Sequence, residues 1–104
     1  MNKYKIEFSD ESKNDLFNIT NYIKNKLNEP NIAKKLSHRI KKQIFTLAEF
    51  PKIYSVIGDS FLRKIELRKI VVDNYIILYQ IIDESKKVRI IRIMYGRRNW
   101  IEII

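Results

Sequence analysis

The residues with the most chemical reach stand together near the end of the chain. There Tyr95-Gly96-Arg97-Arg98-Asn99-Trp100 closes a run rich in Ile, Val and Tyr. Arg92 lies on that same run, and Lys64, Arg68 and Lys69 lie on an earlier one. A guanidinium meets phosphate or carboxylate oxygens in two-pronged fashion, so several of them held at one rim of a sheet suit an anionic partner. Other chemistries have less to work with. The chain has no cysteine, hence no thiolate nucleophile, no disulfide and no cysteine-type zinc site. His38 is the single histidine and stands among lysines, a poor start for a metal site or a triad. Glu66 and Glu102 have no second carboxylate at a spacing that serves paired acid–base hydrolysis. Neither a metal nor a small-molecule cofactor is expected.

The elements that must position these groups follow from the hydrophobic periodicity. Tyr4, Ile6 and Phe8 alternate with Lys5 and Glu7, which predicts a strand with one buried face. Ser9-Asp10-Glu11 then reads as a helix start, with Ser9 as the cap and two acids where the dipole favours them. Leu16, Ile19, Ile23 and Leu27 recur at helical spacing, so the first helix is expected from Ser9 to about Leu27. Pro30 opens a second helix, expected from about Asn31 to Glu49, with Leu36, Ile40, Ile44 and Leu47 on its apolar face. Phe50-Pro51 ends it, because the residue before a proline is pushed out of the helical region.

After an irregular connector, a strand is expected over Phe61 to Val72, then a tight turn at Asp73-Asn74 in which Asn takes the positive φ. Tyr75 to Ile82 is apolar on both faces and should be a central strand. Asp83 to Lys87 makes a second hairpin loop, and Val88 to Tyr95 the last strand. The order β-α-α-β-β-β predicts a single α+β domain, with a helical hairpin packed on one face of a mainly antiparallel four-stranded sheet.

The totals agree with one small basic domain. Its 104 residues leave no room for a second core, and 21 Lys plus Arg against 12 Asp plus Glu give a net charge of +9. That balance favours nucleic acid, a ribosome or an acidic protein as partner. Two glycines and two prolines are too few for a glycine-rich phosphate loop. No stretch approaches the roughly 20 apolar residues of a membrane span, and Met1 to Lys5 lead into the first alternating pattern without an apolar run of the signal-peptide kind, so none is expected. A cytoplasmic domain without membrane contact is the expectation.

In this order and spacing the chain resembles the RelE/ParE superfamily, bacterial and archaeal toxins of type II toxin–antitoxin systems. The resemblance covers nearly the whole chain. It is carried by Tyr4 through Ser9, by Asp15-Leu16 with Ile19 and Tyr22-Ile23, and by Leu47 through Phe50-Pro51. Its most specific parts are Arg68 through Tyr79 and Arg92 through Asn99. The resemblance implies one of two activities. RelE-like members cut messenger RNA in the ribosomal decoding site without a metal; ParE-like members poison DNA gyrase. In both, an antitoxin wraps the toxin and holds it inactive, and the charge of this chain calls for an acidic one.

Cleavage by 2′-hydroxyl attack needs a base, a cation for the phosphorane charge and an acid for the leaving oxygen. The resemblance places Arg98 where nuclease members carry a functional Arg or His, and points to Tyr95 and Arg68 as its catalytic companions. Lys64, Lys69, Arg92 and Arg97 would hold phosphates. A phenol of pKa about 10 is a poor base without a cationic neighbour, which Arg97 or Arg98 would have to be. Two departures weigh against a nuclease. Ile76 stands where those members often place an Arg, and the chain ends Trp100-Ile101-Glu102-Ile103-Ile104 without a clear counterpart of their C-terminal Tyr. Three readings therefore stay open: an endoribonuclease acting on mRNA at the ribosome or free of it, a non-enzymatic gyrase poison, and an inactive basic RNA-binding remnant.

Overall fold

The computed structural model describes residues 3–58 and 64–96. Strand β1 covers Lys5–Phe8, helix α1 Asp10–Asn21, helix α2 Pro30–Thr46, and strands β2, β3 and β4 cover Arg68–Val72, Tyr75–Ile82 and Lys87–Tyr95. Ser9 starts α1 as its sequence suggests. Its Oγ accepts from the Ser12 N–H at 3.0 Å, and its hydroxyl donates to the Ile91 carbonyl at 2.7 Å, tying the cap to β4.

The first helix is shorter than the expected run to Leu27. After Asn21 it widens into a π-helical turn, Tyr22–Lys26, closed by the Leu27 N–H on the Tyr22 carbonyl at 3.2 Å. Asn28, with φ 53°, then reverses the chain. Helix α2 begins at Pro30 and ends at Thr46 rather than Glu49. Its last turn tightens instead, with Leu47, Ala48 and Glu49 each bonding to the carbonyl three residues back.

The strand order is β1-β4-β3-β2, with β1 parallel to β4 and the other pairs antiparallel. Both β3 and β4 are internal strands. Alternation gives the sheet two apolar faces. On one, Ile70, Ile77, Tyr79, Val88, Ile90 and Ile93 meet Ile23, Leu36, Ile40, Ile44 and Leu47 from the helical layer. Each fully buried aliphatic side chain there stabilises the fold by about 1.5–3 kcal/mol. On the other, Leu67, Ile76, Leu78 and Met94 form a smaller cluster with Ile57 and Ile91. The connector after α2 reaches this cluster: Val56 pairs with Arg68, and the Ile57 N–H bonds to the Leu67 carbonyl at 2.8 Å.

Two expectations need correction. The strand expected over Phe61 to Val72 begins at Arg68. Lys64 sits in a helical turn, and Glu66 with φ 51° bends the backbone where a strand would have to continue; residues 61–63 lie outside the described residues. In the β2–β3 turn the positive φ, 53°, belongs to Asp73 and not to Asn74.

A register shift between Leu78 and Tyr79 has consequences for the rim. Leu78 faces Arg92 while Tyr79 faces Ile90, so Ile91 is the extra residue of a bulge in β4. Beyond it, every partner moves by one, and Tyr75 meets Tyr95 instead of Met94.

Candidate functional site

The bulge and the β2–β3 turn build one end of the sheet. There the Tyr75 and Tyr95 rings meet edge to face, with centroids 5.6 Å apart and planes at 71°. Burial, then the neighbouring Tyr95, Asp73 and Tyr22, raise the Tyr75 phenol above its ordinary pKa. Tyr22, from the π-helical turn, thus belongs to the same neighbourhood. The Gly96 N–H closes the end of β4 onto the Asn74 carbonyl at 2.6 Å. A Cβ at Gly96 would stand 3.1 Å from that oxygen and 3.4 Å from Ile76 Cγ1, which leaves little room for a side chain at this crossing. Arg97, Arg98 and Trp100 lie outside the described residues. Among the described residues Tyr95, about 36% exposed, is the expected site residue that reaches this rim.

The other expected residues are elsewhere. Arg68 pairs with Tyr79, at the far end of β2 from Val72, which pairs with Tyr75. Four residues of strand separate these ends by roughly 13 Å, so Arg68 and Tyr95 are not brought together. Arg68 instead donates to the Tyr54 carbonyl and lines a small polar cavity of about 130 Å³ with Lys52, Glu66, Ile81 and Asp83. Within that cluster the Tyr4 hydroxyl donates to Asp83 Oδ1 at 2.6 Å, and Lys52 stands 3.8 Å from Oδ2. The Tyr4 hydroxyl first, and the Lys52 and Lys86 charges after it, hold the Asp83 carboxyl below its usual range. Lys64 and Lys69 are exposed, Lys64 on its helical turn and Lys69 on β2.

Arg92 has a different occupation from the one expected of it. Its Nε and Nη2 donate to the two Asp15 oxygens at 2.7 and 2.9 Å, and the Ile93 N–H adds a third bond to Asp15 Oδ2 at 3.0 Å. Beyond Phe8 there is no β1 residue beside β4, so Asp15 serves the strand edge that β1 leaves open. Both side chains are largely buried, 26% and 15% exposed, and the Asp15 hydrogen bond raises the guanidinium above its ordinary pKa. An arginine gripped in this way fixes α1 on the sheet and is not free to take up a phosphate.

The sequence reading missed Tyr75 as the neighbour of Tyr95, with Tyr22 near Tyr75, and Asp15 as the partner of Arg92. No local pattern signals either, because both arise from elements that meet across the fold. Tyr79 also escapes any acid–base role: its hydroxyl donates to the Pro51 carbonyl at 3.0 Å in the core, and burial pushes the phenol up to about 12. Among the described residues no group of three or more His, Asp or Glu side chains is placed to hold a metal. No described helix is long and apolar enough to cross a membrane.

Comparison with known proteins agrees with this architecture. The family model described as the ParE toxin of type II toxin–antitoxin systems, parDE, matches residues 6–100. No curated protein matches the sequence significantly. Among solved structures, the chromosomal ParDE toxin–antitoxin system of P. aeruginosa is similar, with a TM-score of 0.72 and 15% identity over 91% of this chain and 98% of that one. A substituted E. coli RelE toxin in the free state gives 0.69 and 17% over 97% and 92%. The RelBE2 toxin–antitoxin complex of Mycobacterium tuberculosis gives 0.64 and 19% over 89% and 98%. At such identities these likenesses speak for the fold, and the family match covers nearly all of the sequence. The chain belongs to the ParE toxin family of type II toxin–antitoxin systems, within the RelE/ParE superfamily.

Proposed function

We propose that this toxin arrests growth by binding DNA gyrase, as the ParE-like members it resembles do, rather than by cutting RNA, and that an acidic antitoxin neutralises it. One observation carries the reading. The sheet face turned away from the helices, where Ile76 replaces the arginine of nuclease members, is closed by Leu67, Ile76, Leu78 and Met94. A packed apolar cluster offers neither a base nor an oxyanion donor for 2′-hydroxyl attack. Supporting it, Arg68 lies an entire strand away from Tyr95, and Arg92 is held by Asp15. The exposed Lys64 and Lys69, and the Arg97-Arg98 pair of the sequence, then serve to bind an anionic target surface.

Two assays on the purified chain test this. Gyrase-driven supercoiling of relaxed plasmid should be blocked. Cell-free translation from ready-made messenger RNA, which needs no gyrase, should run on with its message intact. Cut message and arrested synthesis would overturn the proposal in favour of the nuclease reading, with Arg98 and Tyr95 the residues to replace. Inertness in both assays would leave the remnant.

A further inference from the structure

The charge of this chain is unevenly spread. Helix α2 carries Lys34, Lys35, Arg39, Lys41 and Lys42 and no Asp or Glu in its 17 residues, so more than half of the net charge of +9 stands on one helix. Helix α1 with its π-helical turn holds three acids against three bases. All five cations of α2, and His38 with them, are exposed. Arg39 is held by Asp73 of the β2–β3 turn. Among the described residues no carboxylate stands within ion-pair distance of the four lysines. Their placement is regular. Ala33, Leu36, Ile40 and Ile44 take the inner face of the helix, which leaves Asn31, Lys35, His38 and Lys42 at three- and four-residue steps along the outer ridge. Lys34 and Lys41 flank that ridge on one side and Arg39 on the other. The pairs Lys34-Lys35 and Lys41-Lys42 stand two turns apart, roughly 10 Å along the axis. Like charges three or four residues apart repel, and no acid on α2 relieves them.

We infer that the outer ridge of α2 is a sequence-independent contact for duplex DNA, on which the four lysines neutralise backbone phosphates. This deepens the gyrase reading and rests on it for what brings DNA to the toxin, since the enzyme that supercoils plasmid works on duplex DNA. A protein partner fits less well. Such an interface has an apolar centre, and the ridge positions Asn31, Lys35, His38 and Lys42 hold no apolar side chain. A polyanion needs only charge and reach. Lysine, a flexible point charge, suits the backbone rather than the bases; bidentate reading of a guanine falls to arginine, and Arg39 is already engaged. The major groove of B-DNA, about 12 Å wide, admits the outer half of a helix with cations on its flanks. The deep, narrow major groove of an RNA duplex does not.

The probe is a fluorescein-labelled DNA duplex of about 20 base pairs, two turns of the double helix. It is titrated with the full chain in the absence of gyrase and followed by anisotropy from about 50 to 200 mM salt. Four neutralised phosphates contribute about −3.6 to the slope of log affinity against log salt. The variant Lys34→Gln, Lys35→Gln, Lys41→Gln, Lys42→Gln keeps good helix formers throughout. It should flatten the slope by about that amount and lose about tenfold or more in affinity at the low-salt end. A control, Lys3→Gln, Lys5→Gln, Lys86→Gln, Lys87→Gln, removes the same charge around β1 and the start of β4, and its slope should stay within about one unit of the parent. No binding would overturn the inference, and so would an equal loss in both variants, because net charge alone would then account for it. Tighter binding of an RNA duplex of the same length would overturn it as well. In the supercoiling assay the α2 variant should need about tenfold more protein for the same inhibition; an unchanged requirement would remove the ridge from the poisoning. The two readings fail separately. A chain that grips DNA through α2 and leaves supercoiling untouched sinks the functional reading and keeps the ridge, whereas one that blocks supercoiling without binding DNA does the reverse.

Discussion

The two faces of the sheet bury apolar side chains by different means. On the helix side two long amphipathic segments supply most of the cover, and Ile40, Ile44 and Leu47 reach complete burial against Ile77 and Tyr79. On the other side no helix of comparable length packs among the described residues, and four buried residues, Leu67, Ile76, Leu78 and Met94, form a smaller cluster with help from the connector. The first face is closed by whole helices, the second by a few side chains of the sheet itself and its connector. The difference teaches that one sheet can bury two apolar faces by unequal means, and that the smaller cluster is the one a single charged substitution would disturb.

Replacing a side chain on the scaffold face should have the largest effect. Ile77→Ala would open a cavity in the centre of the core and cost about 3–5 kcal/mol, a large share of a small domain's stability, read as a lowered urea midpoint. The opposite face should yield less. Ile76→Arg would restore the charge of the nuclease pattern at a buried position, costing about 2–3 kcal/mol as the guanidinium strains toward water. It should give no RNA cleavage in the translation assay; a cut message from this variant would show that the apolar face alone separates the two activities. Asp15→Ala, at the edge between the faces, leaves Arg92 and the Ile93 N–H without their acceptor and should cost about 2 kcal/mol in the same denaturation measurement.

The smallest effect is a pH dependence confined to the scaffold face. Tyr79 holds its proton more tightly when folded, with a pKa raised to about 12 from 10.0. Its contribution is therefore complete below about pH 10 and is lost as pH rises from there toward about 12, at up to about 1.4 kcal/mol per pH unit. Tyr79→Phe should flatten that alkaline slope. An unchanged slope would place the titration on another group.

The legible parts of this protein are those with a local physical cause. Ser9 could be read as a cap because its hydroxyl serves an N–H three residues on, and Pro30 as a helix opener because its missing N–H costs nothing there. The order of elements, the hairpin at Asp73-Asn74 and the doubly apolar β3 follow from the same kind of evidence. The end of the first helix did not, because a π-helical turn preserves the apolar spacing that the helix reading relied on. The start of β2 did not either, since Ile65 and Leu67 alternate with polar residues as a strand would while the backbone at Glu66 turns away.

The candidate site was less legible still. Composition put the charge in view, and the resemblance named Tyr95, Arg68 and Arg92, but neither carries information on distance. That Arg68 ends up four strand residues away from the Tyr75–Tyr95 end depends on strand pairing. That Tyr95 meets Tyr75 depends on one extra residue in a bulge. That Arg92 is held by Asp15 depends on how far β1 runs beside β4. By itself the sequence determined the element order, the doubly apolar central strand and the basic charge, because periodicity and charge are properties of neighbours along the chain. Only the tertiary structure decided which charges are free, since whether a guanidinium is paired depends on what packs beside it from 77 residues away.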